Sequence, residues 1–176
     1  MAECRRLFDT NVFGVIEGMQ VVTPVLKAQG SGTIINLSSV AGHIPVPYMP
    51  ACSATKHAVS AIGKAARMEL IGTGVHVMTV CPGYIGTSFG ENTVLGKERM
   101  RMNSASSAGT PAEEVARAVL HGYLKKKREV VVPWKFWFVL KLYQLFPAIV
   151  ESKMAKRLRP AEEVYAAAAE ARKKQA

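Results

Sequence analysis

A short β-branched run that passes through a polar, glycine- and proline-bearing turn into a helix constrains this chain more than any other feature. The stretch is Gly32–Lys56, GTIINLSSVAGHIPVPYMPACSATK. Thr33 to Leu37 has the length and apolar composition of a strand buried in a parallel sheet. Ser38 and Ser39 stand where it ends, the edge at which ligands collect in open α/β sheets. Pro45, Pro47 and Pro50 keep the connection extended, and Ala51 to Ile71 returns to a helical pattern with Ala54, Ala58, Ala61 and Ala65 small enough for close packing. A loop hydroxyl therefore faces a helix that carries Lys56, with Cys52 four residues earlier on the same helix face.

Residues 2–29 read as one long helix whose broad apolar face includes Val12, Phe13, Ile16, Met19, Val22 and Leu26. Pro24 is expected to bend it, and Gly30 and Gly32 to end it. After Gly72 and Gly74, Val75 to Cys81 reads as a second apolar strand that Pro82-Gly83 terminates. Ser88 to Gly109 is polar and without sustained period, a length that suits a binding loop. Thr110 is expected to cap the next helix, with Pro111 at its first position and Glu113 completing a capping box. That helix should reach Lys127, and Val130 to Val132 supplies a third strand. Strands alternating with helices predict an α/β domain with a parallel sheet.

A chain of 176 residues with 49% hydrophobic content buries one ordinary core. Its three cysteines, Cys4, Cys52 and Cys81, are odd in number and widely spaced, with no Cys-x-x-Cys and no His/Cys cluster of zinc spacing. A reducing, intracellular compartment and no metal site are expected. His43, His57, His76 and His121 read as surface or loop residues. The charged AECRRLFD after Met1 is no signal peptide, and the chain is expected to start inside a helix. Of the net charge of +10, most lies in the tail, where Lys125 to Ala176 holds 13 basic and 5 acidic residues. That distribution argues against a basic groove for nucleic acid in the core and for a surface or membrane contact by the tail.

In this order, the residues resemble the short-chain dehydrogenase/reductases. The family's active-site pattern is a serine, twelve intervening residues, a tyrosine, three residues and a lysine. Ser39 and Lys56 fit that spacing, and Cys52 falls on the tyrosine position. Asp9-Thr-Asn11-Val-Phe-Gly14 resembles the family's Asn-x-x-Gly segment, whose asparagine helps hold a proton-relay water. Pro82-Gly83-Tyr-Ile85-Gly-Thr87 resembles its Pro-Gly-x-x-x-Thr element, which holds the nicotinamide carboxamide. The resemblance implies a partial Rossmann-like doubly wound parallel sheet: the second half, about three strands, with flanking helices and a C-terminal helical tail. It also implies NAD or NADP as cofactor, held from the nicotinamide side, and hydride transfer to or from a carbonyl or secondary alcohol. On that pattern Asn11, Ser39, Cys52 and Lys56 are the candidate catalytic residues. Lys56, Pro82, Gly83, Ile85 and Thr87 are the candidate cofactor contacts.

In the family the tyrosine is the general acid and base, the lysine lowers its pKa and bonds the ribose, and the serine positions the substrate oxygen. A cysteine beside a lysine is acidic enough, but its sulfur ends short of where a phenol oxygen lies, leaving a gap for a water. Tyr48, in a proline-bound loop, is a poor substitute. No Gly-x-Gly-x-x-Gly and no Thr-Gly-x-x-x-Gly-x-Gly occurs in the sequence, so the dinucleotide-binding first half is expected to be missing. The strand at Thr33 to Leu37 would then have a neighbour on one side only. Gene fragment, truncated reading frame and shortened paralogue all fit, and activity is expected to be impaired.

The rival expectation is a catalytically inactive relic that serves as an interaction module, a homodimer through helices 2–29 and 51–71. Residues 1–133 would form the truncated dehydrogenase domain and 134–176 a basic, aromatic-rich helical extension. WKFWFVLKLYQLFPAIV, residues 134–150, fits a helix lying in a membrane interface, with flanking Lys and Arg on anionic lipid. It fits equally a helix packed over the substrate cleft or on a second subunit. The expected location is cytoplasmic, peripheral on the membrane in the first case.

Overall fold

Val75–Pro82, VHVMTVCP, carries no acidic or lysine side chain, a composition suited to a strand covered on both faces. In the computed structural model, which describes residues 1–47, 49–86 and 109–156, this segment (β2) is the centre of a three-stranded parallel sheet. Gly32–Leu37 (β1) pairs along one side, Gly32 opposite Val75 and Leu37 opposite Val80. Glu129–Val132 (β3) pairs along the other, Val130 opposite Val80 and Val132 opposite Pro82. The partial doubly wound sheet expected from the sequence is the one that forms.

Ala2–Phe8 (α1) and Gly14–Gln29 (α2) run into one another through a π-helical turn at Asp9–Phe13. Gly30 stops α2 in a left-handed conformation, φ 67°, where glycine has no Cβ penalty. Pro50–Glu69 (α3) joins β1 to β2, with Pro50 in its first turn where its missing N–H costs nothing. Ala112–Leu124 (α4) leads into β3, and Phe136–Leu145 (α5) follows it. Residues 147–156 are also helical.

Helices cover both faces of the sheet. On one, Met19 and Leu26 of α2 and Ile62 and Ala66 of α3 pack on Ile34, Val75 and Val77. On the other, Val115 and Val119 of α4 pack on Met78, Val80, Val130 and Val132. A third cluster returns the tail to the sheet, with Leu140 and Val150 buried against Ile44 beside Val131.

Four expectations change. β1 is not buried on both faces: Ile35 and Leu37 are 42% and 56% exposed, because α4 reaches only β2 and β3. Phe13 and Val22 leave the apolar face of the first helix, at 52% and 40% exposure, since the wide π turn shifts the phase of the stripe. Thr110 does not cap α4, whose cap position is Pro111 with no side-chain bond. Its backbone is instead spent in a parallel bridge to Ile85, accepting from Gly86 N–H and donating to Tyr84 O. The helix also stops at Leu124, where Lys126 turns left-handed at φ 49° and the N–H of Lys127 closes on Gly122 O. Among the described residues, no helix is long and apolar enough to cross a membrane.

Candidate functional site

The three strands end together, and the loop after β1 is pinned to that edge. Ser38 N–H continues the ladder to Val80 O at 2.8 Å. Its hydroxyl donates to Lys56 O at 2.9 Å and accepts from the Ser60 hydroxyl at 2.8 Å. The loop and α3 approach so closely that only glycine fits between them. A Cβ on Gly42 would lie 2.5 Å from Ser38 Oγ and 2.6 Å from both Lys56 O and Ser60 Oγ.

On this frame Ser39 caps the short 3₁₀ turn Val40–Gly42, accepting from Ala41 N–H at 3.1 Å. Its hydroxyl donates to Pro82 O, also at 3.1 Å, which ties the end of β1 to the end of β2. Lys56 reaches the same edge, its ammonium donating to Leu37 O at 3.2 Å. Burial pulls the Lys56 pKa below 10.5, while the neighbouring Cys52 and Cys81 sulfurs work in the opposite direction.

Asn11 lies in the π turn, and that wider turn is what directs it at α3: its amide donates to Thr55 Oγ1 at 3.2 Å. Thr55 in turn donates to Cys52 O at 2.8 Å. Cys52 is partly buried in the first turn of α3, one turn before Lys56. Asn11, Thr55 and Cys52 thus form one linked set along α3, and Ser39, Pro82 and Lys56 a second at the strand ends. Thr55 escaped sequence reading because a buried threonine in a helix carries no signal of its own.

Pro82 closes β2, and Gly83 N–H donates to Val132 O at 2.7 Å. A Cβ at Gly83 would meet the Phe136 ring at 2.8 Å, so the tail helix packs directly on this backbone. Ile85 is bridged to Thr110 and packs on the α4 side of the sheet. Thr87 and Tyr48 lie outside the described residues.

His43 lies in a loop, as the sequence suggests, but it is turned inward rather than towards the surface. Its Nε2 stands 3.5 Å from Cys81 Sγ and 3.3 Å from Glu129 Oε2, with its side chain only 10% exposed. Burial, with Glu129 nearby, pushes the Cys81 thiol up to about 12. The hydrogen bond from His43 holds Glu129 below the usual carboxylate value against the cost of burial. These three come from a loop and two strands, so no local spacing could have revealed them.

A family model described as short chain dehydrogenase matches residues 1–98. The chain is 34% identical over 158 residues to Dehydrogenase/reductase SDR family member 7B of Danio rerio, covering 88% of this chain and 51% of that protein. It is 33% identical over 132 residues to Ketoacyl reductase HetN of Nostoc sp., covering 75% of this chain and 44% of that one. The chain therefore spans about half the length of these curated relatives. Its fold is similar to that of a short chain dehydrogenase from Burkholderia cenocepacia in complex with NADP. The TM-score is 0.72 at 24% identity, over 86% of this chain and 58% of that one. A short chain dehydrogenase/reductase from Burkholderia phymatum in complex with NAD gives 0.69 at 22% identity, over 79% and 56%.

Proposed function

Because the chain belongs to the short-chain dehydrogenase/reductase family, we propose that it carries the nicotinamide-facing, catalytic half of an NAD(P)-dependent oxidoreductase acting on a carbonyl or secondary alcohol. The observation that supports this most is the shared edge: the Ser39 hydroxyl on Pro82 O and the Lys56 ammonium on Leu37 O, both at the ends of the strands. Two polar donors held on backbone carbonyls there can exchange those carbonyls for a ligand's oxygens.

A nicotinamide cofactor, when bound, supplies or takes up the hydride. Lys56 and the backbone of Pro82, Gly83 and Ile85 fit its nicotinamide side, and Thr87 belongs to the same element by resemblance. NADP and NAD in the two Burkholderia complexes support either form as cofactor. Ser39 holds the substrate oxygen by redirecting its O–H from Pro82 O. Asn11, through Thr55, braces the first turn of α3 and stands ready to hold a relay water. Cys52 occupies the place of the general acid, and its thiol reaches the substrate oxygen only through an intervening water. That gap, together with the absence of a glycine-rich dinucleotide turn from this sequence, impairs turnover.

Titrating the purified chain with NADH and NADPH, then assaying ketone reduction, tests the reading. Weak binding with slow turnover is expected, and no binding would overturn it for this chain alone.

The second reading is the relic that acts as an interaction module. It draws on a stripe of exposed apolar residues on the first helical path, Phe13, Val21 and Val25, together with Met68 on α3. These suit a homodimer through helices 2–29 and 51–71, and a monomer in analytical ultracentrifugation would remove it. The extension from residue 134 adds Trp134, Trp137, Phe138 and Leu145, all exposed, beside the basic run Lys125–Arg128. That composition suits a peripheral contact with an anionic membrane from the cytoplasmic side. Co-sedimentation with anionic vesicles checks it, and equal behaviour of Trp134→Ala/Trp137→Ala/Phe138→Ala would count against it.

A further inference from the structure

We propose that His43, Cys81 and Glu129 bind a zinc ion, with water as the fourth ligand. Each offers one donor atom, and the three donors lie within 4.8 Å of one another. A tetrahedral zinc with bonds of about 2.3 Å to sulfur and about 2.0–2.1 Å to nitrogen and oxygen separates its ligand atoms by about 3.3–3.6 Å. Two of the three observed gaps, 3.5 Å from Nε2 to Sγ and 3.3 Å from Nε2 to Oε2, are those of such a cage, and the third, Sγ to Oε2, lies within 4.8 Å, so that binding draws the carboxylate towards the sulfur.

Hydrogen bonding alone serves this arrangement poorly. Both Cys81 Sγ and Glu129 Oε2 converge on a single nitrogen, which carries one proton or none. With a proton, Nε2 serves the carboxylate and leaves the thiol only the Ser38 and Ser60 hydroxyls as partners. Without one, it accepts from the thiol and turns a lone pair on the carboxylate. A cation bonded to all three removes the conflict.

The donors also stand on a rigid frame. Cys81 is fully buried on β2, and Glu129 opens β3 in register with Thr79. His43 follows the 3₁₀ turn that Gly42 locks against α3. Glu129, with its side chain 29% exposed, is the open side through which an ion and its water enter. A thiolate and a carboxylate neutralise a divalent cation, which matters because Lys64 also faces this corner. Sulfur, imidazole and carboxylate together suit zinc over magnesium or calcium. The ion would clip the loop carrying Ser39 to β2 and β3.

The test uses the full chain stripped of metal by chelator, titrated with Zn²⁺ against a competing chromophoric chelator and separately with Co²⁺. The expected result is one ion per chain, a higher melting temperature, and a thiolate-to-cobalt charge-transfer band that Cys81→Ser abolishes. Glu129→Gln, a change at the partly exposed ligand that spares the buried core, should retain the fold by circular dichroism. It should weaken binding by more than the roughly 10–100-fold that losing an outer-shell partner costs. A wild-type chain without the cobalt band, a band that persists in Cys81→Ser, or unchanged affinity in folded Glu129→Gln would each overturn the proposal. Because no readout depends on turnover, its failure and that of the oxidoreductase reading are distinguishable.

Discussion

Gly42→Ala puts the candidate site's framework under the most direct strain. The new methyl would lie 2.5 Å from Ser38 Oγ and 2.6 Å from Lys56 O and Ser60 Oγ, well inside van der Waals contact. One of those atoms is helix backbone, so the loop must lift away from α3. Overpacking of this kind costs about 1–3 kcal/mol. Lifting the loop also breaks the Ser38 bonds to Lys56 O and Ser60 Oγ, each worth about 0.5–1.5 kcal/mol. The expected loss is therefore about 2–6 kcal/mol in total. At about 2–4 °C per kcal/mol for a chain of this size, a loss near 3 kcal/mol lowers Tm by about 6–12 °C. Urea unfolding followed by far-UV circular dichroism should give a lower midpoint at unchanged slope. Gly18→Ala is the internal control: it lies within α2 with nothing within 4 Å of the added Cβ, and should stabilise by about 0.5–1 kcal/mol. A Gly42→Ala chain within about 0.5 kcal/mol of wild type, the range of an innocuous surface change, would refute the close packing of loop and helix.

Cys52→Tyr is expected to raise ketone reduction by about 10²-fold or more, the lower range of general acid catalysis, when assayed with excess NADPH. No gain would mean that Cys52 is not what limits turnover. Burial holds Lys56 below 10.5 in the folded chain, so the unfolded chain binds more protons between that lowered value and 10.5, and stability rises with pH there. The charged lysine costs stability below that interval, and Lys56→Met removes both the cost and the slope. Urea titrations of both chains from neutral pH to 10.5 should therefore show the stability gap in favour of the variant closing, and parallel curves would contradict the burial of the ammonium. Ile35→Ser with Leu37→Ser, on the open face of β1, should reduce light scattering from self-association while leaving the unfolding midpoint within about 0.5 kcal/mol per site. Equal scattering would mean that this face is not what drives association.

Strand and helix identity was set by short-range chemistry and could be read directly. Val75–Pro82 and Glu129–Val132 are strands because β-branched residues follow one another without a helical period. Gly30 ends α2, and Pro50 opens α3, for reasons local to their own backbones. The spacing of Ser39, Cys52 and Lys56 is likewise a property of one loop and one helix, so it was legible before any packing was known.

What the side chains at that site bond to depended on strand register and on how the crossovers stack. The Ser39 hydroxyl finds Pro82 O across 43 residues, and Asn11 finds Thr55 across 44. The π turn that aims Asn11 changes only a hydrogen-bond register within a helix, which leaves no mark on side-chain periodicity. Thr110 carried a good capping signal, but pairing with Ile85 claimed its backbone first. Ile35 and Leu37 read as core and lie open, because burial depends on which face α4 covers and not on the strand's own composition. His43, Cys81 and Glu129 show the limit most clearly. Each was unremarkable in the sequence, and a loop, a central strand and an edge strand had to meet before three donors could share one point.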